Sequence, residues 1–466
     1  MLTFEKVTPQ NAHVIRRYYE NCDYRLCEYA AGTKVMWRGY LNPAFAEAAG
    51  CLVVCNCIGG KVEFDLPVPG PEGDMDAALT AIEDYCTQKG LRPVISVVPA
   101  EQTALLCGRY ARVTLTNERV WKDYLYRAAD MASFAGRRYS GQRNHINKFR
   151  KGYPQARFVE LTTADAPRLD AFWEAYGAEF QKGDDPRAVR ELANAREMFT
   201  LLDTGWFRTG ALEVDGKLIA VCLAEKCGST LVIHVEKALY SYEGVYPALV
   251  QAFAVRFGGD CQWINREDDA RDKGLRTSKM QYLPAELGSK VHFAIGCELD
   301  DWDAIPSLTT ERLTLDALRE ADKTAYNALC LDDERNRWWG YDYRADLKGE
   351  LTEEYFLDVA RRDFDRHLAV NFAVRLEGCL IGEAVLYNFD WKGGAELGCR
   401  IAPAFAGHGY GTEAFAAAAE WALYRLGLGK VVAKCCKENA ASFKMLSSCM
   451  RRSGEDETFY YFIKTV

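Results

Sequence analysis

Three glycines, Gly407, Gly409 and Gly411, alternate just ahead of Glu413 to Leu426, an Ala- and Leu-rich stretch whose single apolar stripe predicts a helix. Alternating glycines let backbone N–H groups turn inward with no Cβ in the way. A helix start adds unpaired donors and the positive end of the helix dipole. The combination suits a pyrophosphate. Two phosphate loops do not fit. A nucleoside-triphosphate loop needs Lys before the final Ser or Thr, and Gly411-Thr412 has none. A dinucleotide fold needs an acidic residue about twenty positions later on a parallel strand. Here the next strand, Lys430 to Cys435, runs into Lys437-Glu-Asn439.

The elements that must hold this loop are a strand before it, Glu396 to Ile401, a turn marked by Pro403, and the helix after it. With them, the loop resembles motif A of the GNAT acyl-CoA N-acyltransferases, Gln/Arg-x-x-Gly-x-Gly/Ala ahead of a helix. Gly409 and Gly411 match, and Ala406 stands where the family usually has Arg or Gln. Thr310-Glu-Arg-Leu-Thr-Leu315 resembles the opening strand of the subgroup that acetylates ribosomal-protein N-termini. Phe372 to Leu386 resembles the central hairpin, turning at Glu377-Gly378, and Asn439-Ala-Ala-Ser442 the helix start after the fifth strand. The resemblance covers about Leu308 to Val466.

It implies acetyl-CoA as co-substrate and no metal. The thioester would lie in a gap that a bulge opens between the fourth and fifth strands, its carbonyl meeting the backbone N–H of Ile401. Ala406, Gly407, His408, Gly409, Tyr410, Gly411 and Thr412 would cradle the pyrophosphate, with Asn439 and Ser442 near the pantetheine and phosphates. Glu396 would draw the amine proton away through water; an exposed strand-end carboxylate is the plainer reading of that residue. The usual acid is a Tyr seven residues after the Asn, but Leu446 stands there, leaving Tyr460, Tyr461 or solvent to protonate the thiolate. His408 also reads as a surface histidine at a loop tip.

Ahead of this region the order hairpin, helix, strand occurs twice more. Gly50 to Ile58 and Lys61 to Leu66 turn at Gly59-Gly60 and lead to a helix from Met75 and a strand from Arg92. Trp206 to Val214 and Lys217 to Lys226 turn at Asp215-Gly216 and lead to a strand Leu231 to Ala238, a helix Ala248 to Phe257 and a strand Gln262 to Asn265. A helix is also expected over Phe158 to Phe180, ending before Lys182. Neither earlier copy has the glycine loop. The fold class is α/β (α+β): three GNAT-like units with mixed sheets flanked by helices, over 1–118, 119–300 and 305–466.

In these first two units Arg143-Asn-His-Ile-Asn147, His234-Val-Glu-Lys-Ala238, Ile264-Asn-Arg-Glu-Asp-Asp269 and Gly274-Leu-Arg-Thr-Ser-Lys279 resemble a bacterial family related to the C-terminal catalytic domain of phosphatidylglycerol lysyltransferases. That domain is a tandem acyltransferase-like fold with aminoacyl-tRNA as donor. By alternation His234 and Glu236 fall on one strand face, with Asn265, Arg266 and Asp268 ending the neighbouring strand. They read either as a binding site, with Arg266 or Arg276 for phosphate or carboxylate and Glu236 as base, or as a polar network that fixes the fold. Arg143 lies in the cation-rich Gly136 to Lys151 segment, read either as a solvated face or as a contact for phosphate backbone or an anionic headgroup.

Composition bounds the rest. A chain of 466 residues exceeds one core. Its net charge of −8 argues against a protein built mainly to hold nucleic acid. Seventeen scattered cysteines with no secretory leader point to a reducing, cytoplasmic setting. Cys51-Leu-Val-Val-Cys-Asn-Cys57 reads as a buried strand, not a metal site. No apolar run reaches the length of a membrane span. Three functions follow: an acetyl-CoA-dependent N-acetyltransferase acting on a small-molecule or peptide amine, an aminoacyl-tRNA-dependent transferase in the first two units, or a non-catalytic CoA-binding protein. Leu331-Asp-Asp-Glu334 and Trp338-Trp-Gly-Tyr341, on the expected acceptor side, favour a cationic or aromatic amine.

Overall fold

The computed structural model describes residues 2–180, 185–339, 343–344, 347 and 349–466. Residues 182–184, before which a helix was expected to end, and Gly340-Tyr341 of the acceptor-side aromatic run lie outside them. The chain divides into two compact units: Met1–Tyr85, Pro93–Ala104 and Leu115–Ala294 in one, Cys86–Arg92, Leu105–Thr114 and Ile295–Val466 in the other. Three mixed sheets flanked by helices build them.

Each sheet contains one short parallel pair joined through a helix, as the repeated hairpin, helix, strand order requires. In the first sheet Phe64 pairs with Ile95 and Asp65 with Val97, across the helix Met75–Lys89. In the second Thr230–Val232 run beside Trp263–Asn265, across Val245–Phe257. In the third Gly394–Glu396 run beside Lys430–Val432, across the helix Tyr410–Trp421.

The third sheet runs in the order Leu308–Thr309, Leu313–Ala317, Val370–Leu376, Cys379–Tyr387, Gly394–Ile401, Lys430–Cys436, Phe459–Thr465, Arg451–Glu455. Its central strands are buried on both faces, because helices cover both. Phe372 meets Trp421 of the helix Tyr410–Trp421 on one face. On the other, Tyr326 and Phe356 come from the helices Lys323–Leu331 and Tyr355–Asp365. Each such buried aromatic contributes about 1.5–3 kcal/mol. The hairpin turns at Glu377 and Gly378, both at positive φ, which suits a two-residue turn.

Two local expectations change. The helix after the glycines starts at Tyr410 and ends in a π turn, Ala422–Leu426. Arg157–Glu160 is a strand, paired with Phe207–Val214, where a helix was expected. That helix begins only at Ala166, after a capping box between Thr162 and Asp165.

Candidate active site

Strands Gly394–Ile401 and Lys430–Cys436 pair over three residues and then part. Beyond Glu396 the first keeps its ladder with Cys379–Tyr387 on one side only, so Leu397 to Ile401 face a gap on the other. No register shift accompanies the gap: Tyr387 to Gly382 pair in unbroken steps with Glu396 to Ile401. The bulge expected on the fourth strand is therefore absent from this ladder, and the strands separate without an inserted residue.

Two faces meet at the gap. Glu396, Gly398 and Arg400 lie on one. Glu396 accepts from Tyr387 Oη at 2.8 Å and Asn388 Nδ2 at 3.2 Å, with Lys434 Nζ 3.7 Å away. Burial, then the neighbouring carboxylate, push the Tyr387 phenol far up, so Tyr387 stays the donor. The Trp339 ring would lie 3.2 Å from a Cβ on Gly398, so any larger residue would have to push the ring back. Under this face the buried Glu383 carboxylate takes Arg400 Nε at 2.6 Å, Tyr326 Oη at 2.9 Å and Tyr343 Oη at 2.6 Å.

Cys399 and Ile401 lie on the other face. Burial pushes the Cys399 thiol up to about 12, which removes it as a nucleophile. Tyr460, paired in register with Cys435, packs at a tilt against Phe443, centroids 4.9 Å apart, with Arg452 4.5 Å over its ring. Tyr461 points the opposite way, to the Glu396 face, and is paired with Lys434. Glu396 and Tyr460 thus stand on opposite faces of the sheet.

At the end of Gly394–Ile401, Gly407 and Gly409 both have φ 82°. Gly409 is the helix N-cap, and the N–H groups of Tyr410, Gly411 and Thr412 begin the helix with no intrahelical acceptor. A Cβ on Gly407 would meet nothing. His408 stacks on Tyr410, and its Nδ1 donates to Ala406 O at 3.0 Å. Asn439 caps the next helix by accepting from Ser442 N at 3.0 Å. A buried Leu446 fills the place of the usual tyrosine.

Sequence reasoning missed Arg312. Its Nε donates to Glu413 Oε2 at 2.7 Å and its Nη1 to His408 O at 3.0 Å, and its guanidinium lies 4.7 Å over the Tyr410 ring. Thr310 Oγ1 donates to the same Glu413 at 2.6 Å. Burial pulls the Glu413 carboxyl up, but these donors outweigh it and hold it below the ordinary carboxylate range.

More than half of the chain, residues 20–291, matches the family "Phosphatidylglycerol lysyltransferase, C-terminal". The chain belongs to that family. Residues 312–449 match the acetyltransferase (GNAT) domain family. The uncharacterized N-acetyltransferase YnaD of Bacillus subtilis (strain 168) is 33% identical over 125 residues, covering 24% of this chain and 72% of that protein. The crystal structure of a conserved protein of unknown function from Bacteroides thetaiotaomicron VPI-5482 is 28% identical, covering 63% of this chain and 99% of that one at a TM-score of 0.56. The spermidine N-acetyltransferase from Vibrio cholerae in complex with CoA and spermine is 18% identical, covering 34% of this chain and 96% of that one at a TM-score of 0.29. The chain is an acyltransferase. Among its described residues no helix is long and apolar enough to cross a membrane.

Within the lysyltransferase-like region the residues read as one site are split. In Lys217–Cys227, Leu223 pairs with Val235 but Ala224 with Ile233, so His234 is an extra, bulged residue. The bulge shifts the alternation by one and places His234 and Glu236 on opposite faces. His234 sits between Glu267 Oε1, 3.1 Å from Nδ1, and Glu225 Oε2, 3.4 Å from Nε2. Gly32 closes over it, since a Cβ there would fall 2.5 Å from Nε2. Glu236 instead accepts from Arg266 at 2.6 Å, beside the rings of Tyr126 and Tyr282. Asn265 is spent on Arg25 O, Asp123 and Glu267 N. Asp268 accepts from Ala270 N, and Arg143 donates to the carbonyls of Phe134 and Gly136. Arg266 Nη1 is buried without a partner.

Burial alone would lower the His234 pKa; the two carboxylates override it and hold the imidazolium up at about 9. A raised folded pKa gives stability that is complete below the unfolded value and lost as pH climbs through the folded one. Unfolding free energy should therefore fall by about 3 kcal/mol between pH 6.5 and 9 through this group. His234→Gln should flatten that slope in pH-dependent denaturant melts. An unchanged slope would mean that His234 is neutral in the fold.

Cys27, Glu28 and Asp123 bring ligand-type atoms together, but Lys290 Nζ lies 2.6 Å from Glu28 and 2.7 Å from Asp123, where a cation would sit. Cys297, Asp300 and His367 form a second such group, with Arg92 2.6 Å from Asp300. Cys51 and Cys55 are buried on a strand and belong to neither.

The three helix starts at the parallel pairs differ in what they offer an anion. In the first sheet Asp74 caps its helix, accepting from Ala77 N at 3.1 Å, so a carboxylate already occupies the amides. In the second, Gly244 is a left-handed N-cap like Gly409, but the His145 carbonyl and the Phe149 side chain press against it. Val245 N is spent on Tyr242 O, and Pro247 has no N–H. In the third, no side chain caps the helix at Gly409, and a Cβ on Gly407 would meet nothing.

Proposed function

We propose that this acyltransferase is an acetyl-CoA-dependent N-acetyltransferase and that the transfer takes place at the third sheet. The observation that carries the reading is the pairing of parting strands with an open glycine helix start. The pyrophosphate lies on the amides of Gly407 to Thr412, and the thioester in the gap beside Leu397 to Ile401. An Ile401 N–H polarises its carbonyl. The acceptor amine, stripped of a proton by Glu396 through water, attacks the carbonyl carbon. The N–C bond forms, the C–S bond breaks, and the thiolate takes a proton from Tyr460 or from solvent. The first two sheets form tandem GNAT-like units over 1–118 and 119–300, with the strand Lys290–Ile295 returning to the first sheet, and the third occupies 305–466.

Isothermal titration of the intact chain with acetyl-CoA, followed by thiol-release assays on a panel of amines, tests this. Glu396→Gln should lower kcat by about a hundred- to ten-thousandfold while leaving acetyl-CoA affinity unchanged. Unaltered turnover would make Glu396 a bystander.

The match over residues 20–291 and the unpartnered Nη1 of buried Arg266 favour a second reading for the first two units, aminoacyl transfer from a charged tRNA. Binding of aminoacyl-tRNA that weakens steeply with salt would support it. Equal binding of uncharged and charged tRNA by wild type and Arg266→Ala would remove it.

A further inference from the structure

We propose that Arg312 is a positioning residue that sets the direction of the cradle amides without itself touching the phosphates. The inference rests on the reading of Gly407 to Thr412 as the pyrophosphate seat. The described peptide units are trans, so the C=O of one residue and the N–H of the next point opposite ways. Arg312 Nη1 holds the His408 carbonyl, which turns the Gly409 N–H to the far side. His408 Nδ1 holds the Ala406 carbonyl and turns the Gly407 N–H in the same manner.

At positive φ these glycines would otherwise sample other orientations freely. Two carbonyls pinned outward therefore leave two amides aimed together.

Arg312 suits this role because its charge is already answered. Glu413 takes its Nε and its Nη2, each at 2.7 Å, and also takes the Arg312 backbone N–H at 2.9 Å. The Tyr410 ring fixes the guanidinium plane from below. A neutralised, bidentate and stacked arginine is a poor phosphate ligand and a stiff clamp. The clamp ties the bend before the strand Leu313–Ala317 to the first turn of the helix Tyr410–Trp421, where Glu413 lies.

The test measures Kd for CoA, dephospho-CoA and acetyl-pantetheine on the full chain. Arg312→Ala should weaken CoA and dephospho-CoA alike by about ten- to a hundredfold. Acetyl-pantetheine, which lacks the pyrophosphate, should bind and turn over as before. Glu413→Gln should reproduce part of the loss, and the double variant should be no worse than Arg312→Ala, since one clamp is broken once. Where Arg312→Ala fails to fold, Arg312→Lys serves, because it keeps the charge but cannot form the fork. It should lose affinity too.

A loss confined to CoA would make Arg312 a ligand of the 3′-phosphate and overturn the proposal. So would full affinity in Arg312→Lys, or unchanged affinity in Arg312→Ala. No CoA binding by the wild type would instead remove the pyrophosphate reading itself.

Discussion

Gly409→Trp combined with Gly411→Trp should abolish acetyl-CoA binding, weakening it by about a thousandfold or more, some 4 kcal/mol. Two effects add. Gly409 sits at φ 82°, where a residue with a Cβ pays about 1–2 kcal/mol in strain. Gly411 has an ordinary φ, but a Cβ there already lies 3.4 Å from Ile401 Cγ1 and 3.6 Å from Met445 Sδ. An indole cannot go inward past those atoms, so it must project over the helix start and cover the amides. Calorimetry on the intact chain reads this directly: one equivalent for wild type, none for the variant. Survival of binding in a variant with a normal thermal melt would relocate the nucleotide to the first two sheets.

The second large effect concerns stability. Glu383→Ala should destabilise the third-sheet unit by about 3–5 kcal/mol, because it strands the Arg400 guanidinium in a buried site. Arg400 lies 4.5 Å over Trp339 and also reaches Asn336, but neither replaces a carboxylate. Tyr326 and Tyr343 lose their common acceptor in the same step. Glu383→Gln keeps an acceptor oxygen and should cost less. Hydrogen exchange of Gly394–Ile401 under mild denaturant distinguishes loss of this unit from loss of the whole chain. A change under about 1 kcal/mol would show that water re-solvates Arg400 and that the network is looser than its burial suggests.

How far the sequence exposes all this depends on the range of each interaction. The glycine loop is legible because its requirements are local: positive φ, a helix start, a preceding strand. The hairpin at Glu377-Gly378 is legible for the same reason. The His234 bulge is not, since alternation along one strand predicts a face only while the partner strand keeps step. One inserted residue moved Glu236 to Arg266 and left His234 with Glu225. Arg157–Glu160 was misread because a short strand needs its neighbour, Phe207–Val214, to show itself, whereas the Thr162–Asp165 box that starts the true helix is in the sequence. The Arg312 clamp lies inside the Thr310 to Leu315 stretch yet is invisible there, because Glu413 is 101 residues away.

The carbonyl of His145, laid against Gly244, belongs to the backbone. Every amino acid at position 145 would bring the same oxygen, so substitution there cannot reopen the helix start of the second sheet. Position 244 suits glycine because of its φ of 79° and for want of room, with no phosphate needed to explain it. A left-handed glycine before a helix is therefore no sign of an anion seat by itself; what lies above it decides.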